Sequence, residues 1–147
     1  MEFFDATGRS ACYVTPEGRV YSWLGVPLGT VFSERMYSLD GDLLGWLRYG
    51  YLINKAGKCC LFVPGANSKV GASLPARRPK REKGAKLPFP ELTTRESAPA
   101  LPRILRQWGV NPFAEQTDSE WRARLGSAAD SPTRRFMLLK GLVGAQP

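Results

Sequence analysis

The chain of 147 residues carries 21 basic residues against 13 acidic ones, a net charge of +8 at pH 7, with no histidine and three cysteines. These numbers exclude the commonest general base, the usual activator of a serine or cysteine nucleophile and any histidine-bearing metal site. Three cysteines are too few, and odd in number, for a secreted disulfide framework, and the length suits one ordinary domain or one small domain with an extension.

From residue 3 to residue 63 a unit of about sixteen residues is written four times. Gly8, Gly25, Gly41 and Gly57 fall seventeen, sixteen and sixteen residues apart, and four residues before each stands Phe4, Tyr21, Tyr37 or Ile53. Phe3, Val20, Met36 and Leu52 make a second column. Six residues after each glycine comes Val14, Val31, Leu47 or Val63, preceded by Tyr13, Thr30, Trp46 or Phe62. Each copy thus holds two short runs of β-branched, aromatic and aliphatic residues around a glycine turn, and few windows show the 3.6 spacing of a helix. Asp40-Gly41 is the strongest hairpin signal and reads as a type I′ turn, with positive φ at both central residues. Pro16-Glu17-Gly18, Ser33-Glu34, Tyr49-Gly50 and Pro64-Gly65 supply the turns between copies. The pattern predicts eight strands of four or five residues. Because an isolated hairpin of that size is marginal in water, the copies must support one another.

The fourfold repeat, with its aromatic-x-x-x-Gly-x-x-x-Gly core in residues 21–29 and 37–45, resembles the four-fold β-flower domain, a family of small bacterial proteins. The resemblance covers residues 2 to about 66. It implies an all-β repeat domain of four β-hairpin petals around a pseudo-fourfold axis in a shallow barrel, and it supplies no catalytic residue. Cys12 and Leu61 stand where the middle copies have their second glycine, as suits terminal repeats.

Residues 1–67 hold six basic and six acidic residues, so this part is neutral and the positive charge lies beyond it. Cys59 and Cys60, adjacent in a strand, must face opposite sides, and with Cys12 they read as small strand hydrophobes in a reducing compartment. Asp5, Asp40 and Asp42 sit at or near predicted turns, where Asp is favoured for backbone reasons. No catalytic residue, cofactor or metal is expected, and the chain reads as no enzyme.

Residues 68–102 read as a disordered, basic, proline-rich linker. Arg77, Arg78, Lys80, Arg81, Lys83 and Lys86 stand against Glu82 alone between residues 76 and 86. Such a block cannot bury a core and is expected to stay solvated and extended. It is either an anion-binding arm for nucleic acid or an acidic membrane surface, or a plain spacer. No aromatic residue interleaves these cations, so base stacking is not expected. The prolines around Phe89 and Leu101 suit a polyproline II spacer, or docking on a groove.

Residues 103–147 read as a weakly helical tail. Residues 103–108 make a turn or two ended by Gly109. Thr117 and Glu120 form a capping box before Trp121 and Leu125, and Ser131-Pro132 opens a third helix through Phe136-Met137-Leu138-Leu139 to Gly141. Flanked by Arg134, Arg135 and Lys140, that cluster has either a membrane surface or the β domain to rest on. There is no run of eighteen apolar residues and no basic-then-apolar leader, so a cytoplasmic protein is expected, with peripheral attachment at the inner membrane as the alternative. The function expected is that of a non-enzymatic binding module, taking a protein or small apolar ligand on the β domain. The alternative is a peripheral anion binder acting through the basic linker and the C-terminal apolar cluster.

Overall fold

The computed structural model describes residues 1–80, 82–91 and 95–116, and within them the repeat folds as eight strands. They are β1 (Glu2–Phe4), β2 (Ser10–Val14), β3 (Arg19–Tyr21), β4 (Pro27–Phe32), β5 (Arg35–Ser38), β6 (Leu43–Arg48), β7 (Tyr51–Ile53) and β8 (Cys59–Phe62). Each is antiparallel to the next, and β8 returns to β1 through Phe4 and Phe62, so the sheet closes into a barrel in sequence order. Closure removes the open edge that such short strands would otherwise offer to another chain. The architecture of four hairpin petals is the expected one.

Successive side chains in a strand point to opposite faces, and this sorts the columns of the repeat into two layers. Phe3, Val20, Met36 and Leu52 fill the interior with Ala11, Leu28 and Cys60, and Val14, Val31, Leu47 and Val63 pack half-buried against them. Eight strands enclose a space that side chains of this size can fill. Phe4, Tyr21, Tyr37 and Ile53 belong to other clusters on the outer surface of the sheet, yet none is more than 4% exposed. A wall buried on both sides needs a second covering layer, and the chain beyond residue 67 provides it.

Each petal turns in the same way. Gly8, Gly25, Gly41 and Gly57 have φ of 84°, 91°, 89° and 84°. Three residues earlier, Asp5, Ser22, Ser38 or Asn54 accepts from the glycine N–H, and its own N–H donates to Arg9, Val26, Asp42 or Lys58. This is a three-residue loop, a type I turn closed by a left-handed glycine bulge. It replaces the type I′ turn expected at Asp40-Gly41, because Asp40 does not have positive φ. Two-residue turns with positive φ at both positions occur instead between petals, at Ser33-Glu34 (53° and 61°) and Tyr49-Gly50 (55° and 84°). Asp5 is a turn residue, as expected, its Oδ1 accepting from the N–H groups of Thr7 and Arg9.

The second glycine of the middle petals marks a close strand approach. A Cβ on Gly29 would meet the Tyr37 carbonyl and one on Gly45 the Ile53 carbonyl. Cys12 and Leu61 take that place beside the two shortest pairings, β2 with β3 through two residue pairs and β8 with β1 through one.

All three cysteines are free and buried. Cys60 joins the inner cluster and Cys59 an outer one, on opposite faces as neighbours in a strand must be. Burial raises the Cys60 thiol from 9.0 to about 11. The folded state therefore holds the neutral thiol more tightly than the unfolded chain does. The stability this contributes is complete below pH 9.0 and is lost as pH rises toward 11. Alkylation of the folded protein at about pH 8.5 should spare Cys60, while the denatured chain reacts. Equal rates by mass spectrometry would show an interior open to solvent.

The chain divides into two compact units, Met1–Phe113 and Ala114–Pro147, so residues 68–113 group with the barrel. Within residues 68–102 the described part is free of helix and strand, as its composition predicts, and opens on a turn at residues 68–70. It is not a free spacer, however, because backbone hydrogen bonds tie it to the barrel. Residues 103–108 form no helix; the chain bends at residues 106–107 before Trp108 bridges to Cys59. Of the second unit only residues 114–116, which are helical, are described. The helix starts expected at Thr117 and Ser131 and the Phe136 cluster lie outside the described residues. No described helix is long and apolar enough to cross a membrane.

Candidate functional site

The outer surface of the petals and the chain that covers it make one site, built on the carbonyls of the four turn glycines. The Arg78 N–H donates to the Gly8 carbonyl at 2.8 Å, Leu87 to Gly25 at 2.9 Å, Glu96 to Gly41 at 2.8 Å and Leu105 to Gly57 at 2.8 Å. The donors stand nine residues apart, so this belt advances nine residues per petal and visits the four turns in order. Two residues before the donor, the carbonyls of Ala76, Ala85 and Arg103 occupy the place that a Cβ on Gly8, Gly25 or Gly57 would need. Glycine is therefore required there for its positive φ and for the space.

One residue before each donor, the belt meets the outer column of the repeat. The Arg77 guanidinium lies 5.7 Å from the ring centre of Phe4, the Lys86 ammonium 5.6 Å from Tyr21 and the Arg95 guanidinium 5.8 Å from Tyr37. These distances fall within the range where a cation is attracted to the face of a ring. The fourth petal has Ile53 in place of an aromatic, and the belt has Ile104 in place of a cation. Ile104 packs against the cluster that contains Ile53. Between these points Phe89 and Tyr21 meet edge to face, and Ala98 and Leu101 pack against the cluster of Tyr37 and Trp46.

After the fourth turn the belt joins its own beginning. Gly109 donates to Cys59 and Cys59 to Gln107, which pairs Trp108 alongside β8. Trp108 Nε1 donates to the Ser73 carbonyl at 3.0 Å, and the Arg106 guanidinium donates to the carbonyls of Gly71 and Ser68. The buried Tyr51 hydroxyl donates to the Ala72 carbonyl. Beyond this clasp, Asn111 Oδ1 accepts from the Phe113 N–H, and the Phe113 ring joins the interior cluster. Gly109, four residues earlier, lies against Asn54, Lys58 and Cys60.

The cations singled out in the sequence lie on the first two petals of this path. Arg77 stacks on Phe4, and Arg78 adds a bond from Nε to the Thr7 carbonyl at 3.2 Å. Lys80 and Lys83 both bind the Glu2 carboxylate, at 2.7 and 3.0 Å. The Lys80 hydrogen bond, against the opposing effect of burial and with help from Lys83, holds that carboxyl below the usual carboxylate range. Lys83 also lies 4.4 Å from the Tyr13 ring centre and 5.2 Å from that of Trp23, and Lys86 covers Tyr21. Arg81 lies outside the described residues. The rings absent from the basic segment are thus supplied by the barrel. What the sequence reading missed is the row of donors Arg78, Leu87, Glu96 and Leu105. A signal was present: Ala76-Arg77-Arg78-Pro79 and Ala85-Lys86-Leu87-Pro88 repeat a small, cationic, variable, proline order at a spacing of nine.

The model of the 4-fold beta flower protein family matches residues 1–116, petals and belt alike. The chain belongs to this family. The β-flower match ends just past Phe113, the last residue of the first unit, so the belt lies within the unit that the family model covers. No curated protein and no solved structure matches the chain. In this β-flower the site offers four turn-glycine carbonyls, three glycine platforms at Gly8, Gly25 and Gly57, three rings and one aliphatic surface. That set holds an extended, cationic peptide.

Proposed function

We propose that this β-flower protein is a non-enzymatic interaction module whose binding face is the cationic arc that the belt holds over the first two petals, and that its partner is a phosphate-bearing polyanion. The observation that carries the reading is that Arg77, Arg78, Lys80, Lys83 and Lys86 remain exposed while rings, backbone and Glu2 hold them in place. Between residues 68 and 113 ten basic residues stand against three acidic ones, beside a neutral barrel. A fixed row of cations attracts phosphate at long range and gives up less freedom on contact than a mobile arm would. A small apolar ligand has less to bind. The interior and the outer aromatic face are filled by the chain itself, which leaves the half-buried ring of Val14, Val31, Leu47 and Val63 and scattered exposed residues such as Phe32 and Tyr49.

The test is retention on acidic vesicles and on duplex DNA at low salt. Binding is expected, with an affinity that falls steeply as salt rises, because each neutralised phosphate releases counterions. Replacing Arg78, Lys80 and Lys83 by Gln should lower the salt slope by about three. Vesicle binding alone would put the protein on the inner face of a membrane, and DNA binding alone would make it a cytoplasmic nucleic-acid binder. Indifference to both polyanions at low salt would end this reading.

A further inference from the structure

We propose that the glycine-turn rim is a peptide receptor with four subsites, which reads an extended segment at nine residues per petal, and that the belt of a second copy of this chain fits it as the resident belt does. Its ligand is a peptide on the barrel surface, so the inference stands apart from polyanion binding on the outer face of the belt.

The subsites share their parts. A glycine carbonyl accepts one backbone N–H at all four, the absent Cβ admits a belt carbonyl at Gly8, Gly25 and Gly57, and the residue four before the glycine meets the belt. The backbone bonds are indifferent to sequence and provide attachment. The side-chain position provides register. In place, it pairs Arg77 with Phe4 and Lys86 with Tyr21, sets Arg95 near Tyr37 and closer still to Phe32, and puts Ile104 against the cluster of Ile53. A slip of one residue would bring up Arg78, Leu87, Glu96 and Leu105, which sets an anion over Tyr37 and a leucine over Tyr21. The fourth subsite departs from the others on both sides at once, aliphatic against aliphatic. A belt that only filled space would not track the petals in this way.

A second copy is the partner argued for because its belt is the one sequence known to satisfy all four subsites. The connection between barrel and belt also permits exchange. Pro64, Gly65, Asn67, Ser68 and Lys69 are exposed, and nothing lies within 4 Å of a Cβ built on Gly65. Opening that loop would let two barrels trade belts without any new interface.

The experiment uses the full chain with a protease site inserted between Ser68 and Lys69, prepared in unlabelled and isotope-labelled form. Both are cut while folded, mixed, warmed to near the melting temperature and cooled. Native mass spectrometry should find the halves still paired after cutting and, after warming, mixed pairs of labelled and unlabelled halves. Halves that part on cutting and do not rebind would overturn the proposal. The reading of side chains is tested separately in the uncut chain. Ile104→Arg should lower the folded-to-unfolded ratio roughly tenfold by removing an apolar contact. Adding Ile53→Tyr, which rebuilds the ring-and-cation pair of the other petals, should recover a two- to fivefold part of that loss, about what such a pair provides. If the double variant is no more stable than Ile104→Arg alone, the subsites do not read the belt.

Discussion

A chain ending at Asn67 is expected to lose the cooperative melt of the protein, although it contains all eight strands. It would expose Phe4, Tyr21, Tyr37 and Ile53 on the outer surface, together with Trp46 and Phe62, and it would lack the Phe113 ring that joins the interior. Fully burying one large apolar side chain is worth about 1.5–3 kcal/mol. Complete loss at six such positions would be about 9–18 kcal/mol, so even a partial loss is comparable with the roughly 5–15 kcal/mol that a whole domain has in hand. The shortened chain should show a broad thermal transition by circular dichroism and bind a hydrophobic dye, as loosely packed compact states do. A chain ending at residue 116, the limit of the β-flower match, should melt like the full protein. A sharp transition for the shorter fragment within a few degrees of the longer one would make the belt an accessory.

Gly25→Val is expected to be among the most damaging single substitutions, with Gly65→Val as its control. Both glycines have left-handed backbone, with φ of 91° and 89°. At that φ a β-branched residue is strained by about 1–3 kcal/mol wherever it sits. Around Gly65 nothing else is met, whereas a Cβ at Gly25 would run into the carbonyl of Ala85 and the Cα of Lys86. These are backbone atoms, so relief requires the belt to move. Moving it stretches the Leu87 hydrogen bond to the Gly25 carbonyl and draws Lys86 from Tyr21. A further loss of roughly 2 kcal/mol beyond the control is expected from that bond and that ring contact. Urea titrations of the two variants measure the difference. Equal losses would mean that only backbone strain acts and that the belt has room to yield.

The petals were legible in the sequence because both layers of the barrel wall are apolar, so each strand leaves two columns that repeat at sixteen. The adjacency of Cys59 and Cys60 settled their opposite faces for the same reason. The type of the petal turn was not legible. An Asp-Gly pair looks alike in a two-residue and a three-residue loop, and the difference lies in whether the first bonded pair is Leu39 with Asp42 or, as found, Ser38 with Asp42. The belt was missed for a deeper reason. Its attachment rests on one backbone N–H in nine, which no side chain announces, and its cations find their rings far away in sequence, Arg77 finding Phe4 at 73 residues and Lys86 finding Tyr21 at 65. Composition alone gives such a segment the signature of a solvated chain. In residues 103–108, Ile104 and Trp108 stand one helical turn apart. In the fold Ile104 packs against the outer cluster and Trp108 meets Phe62 and Tyr51, with no helix between them.

The two spacings, sixteen along the barrel and nine along the belt, tie distant parts of the chain to one another in length. A fifth petal would need about sixteen residues inserted before residue 63 and about nine more between two donors beyond residue 76. Either insertion alone leaves a turn glycine uncovered or a donor without its carbonyl, and it moves Arg106 and Trp108 away from Ser68 and Ser73. One duplication cannot produce both. A belted barrel of this kind therefore resists growth and loss by whole repeats, the ordinary route by which repeat proteins change size, and its petal number is held at four by a segment that contains none of the petals.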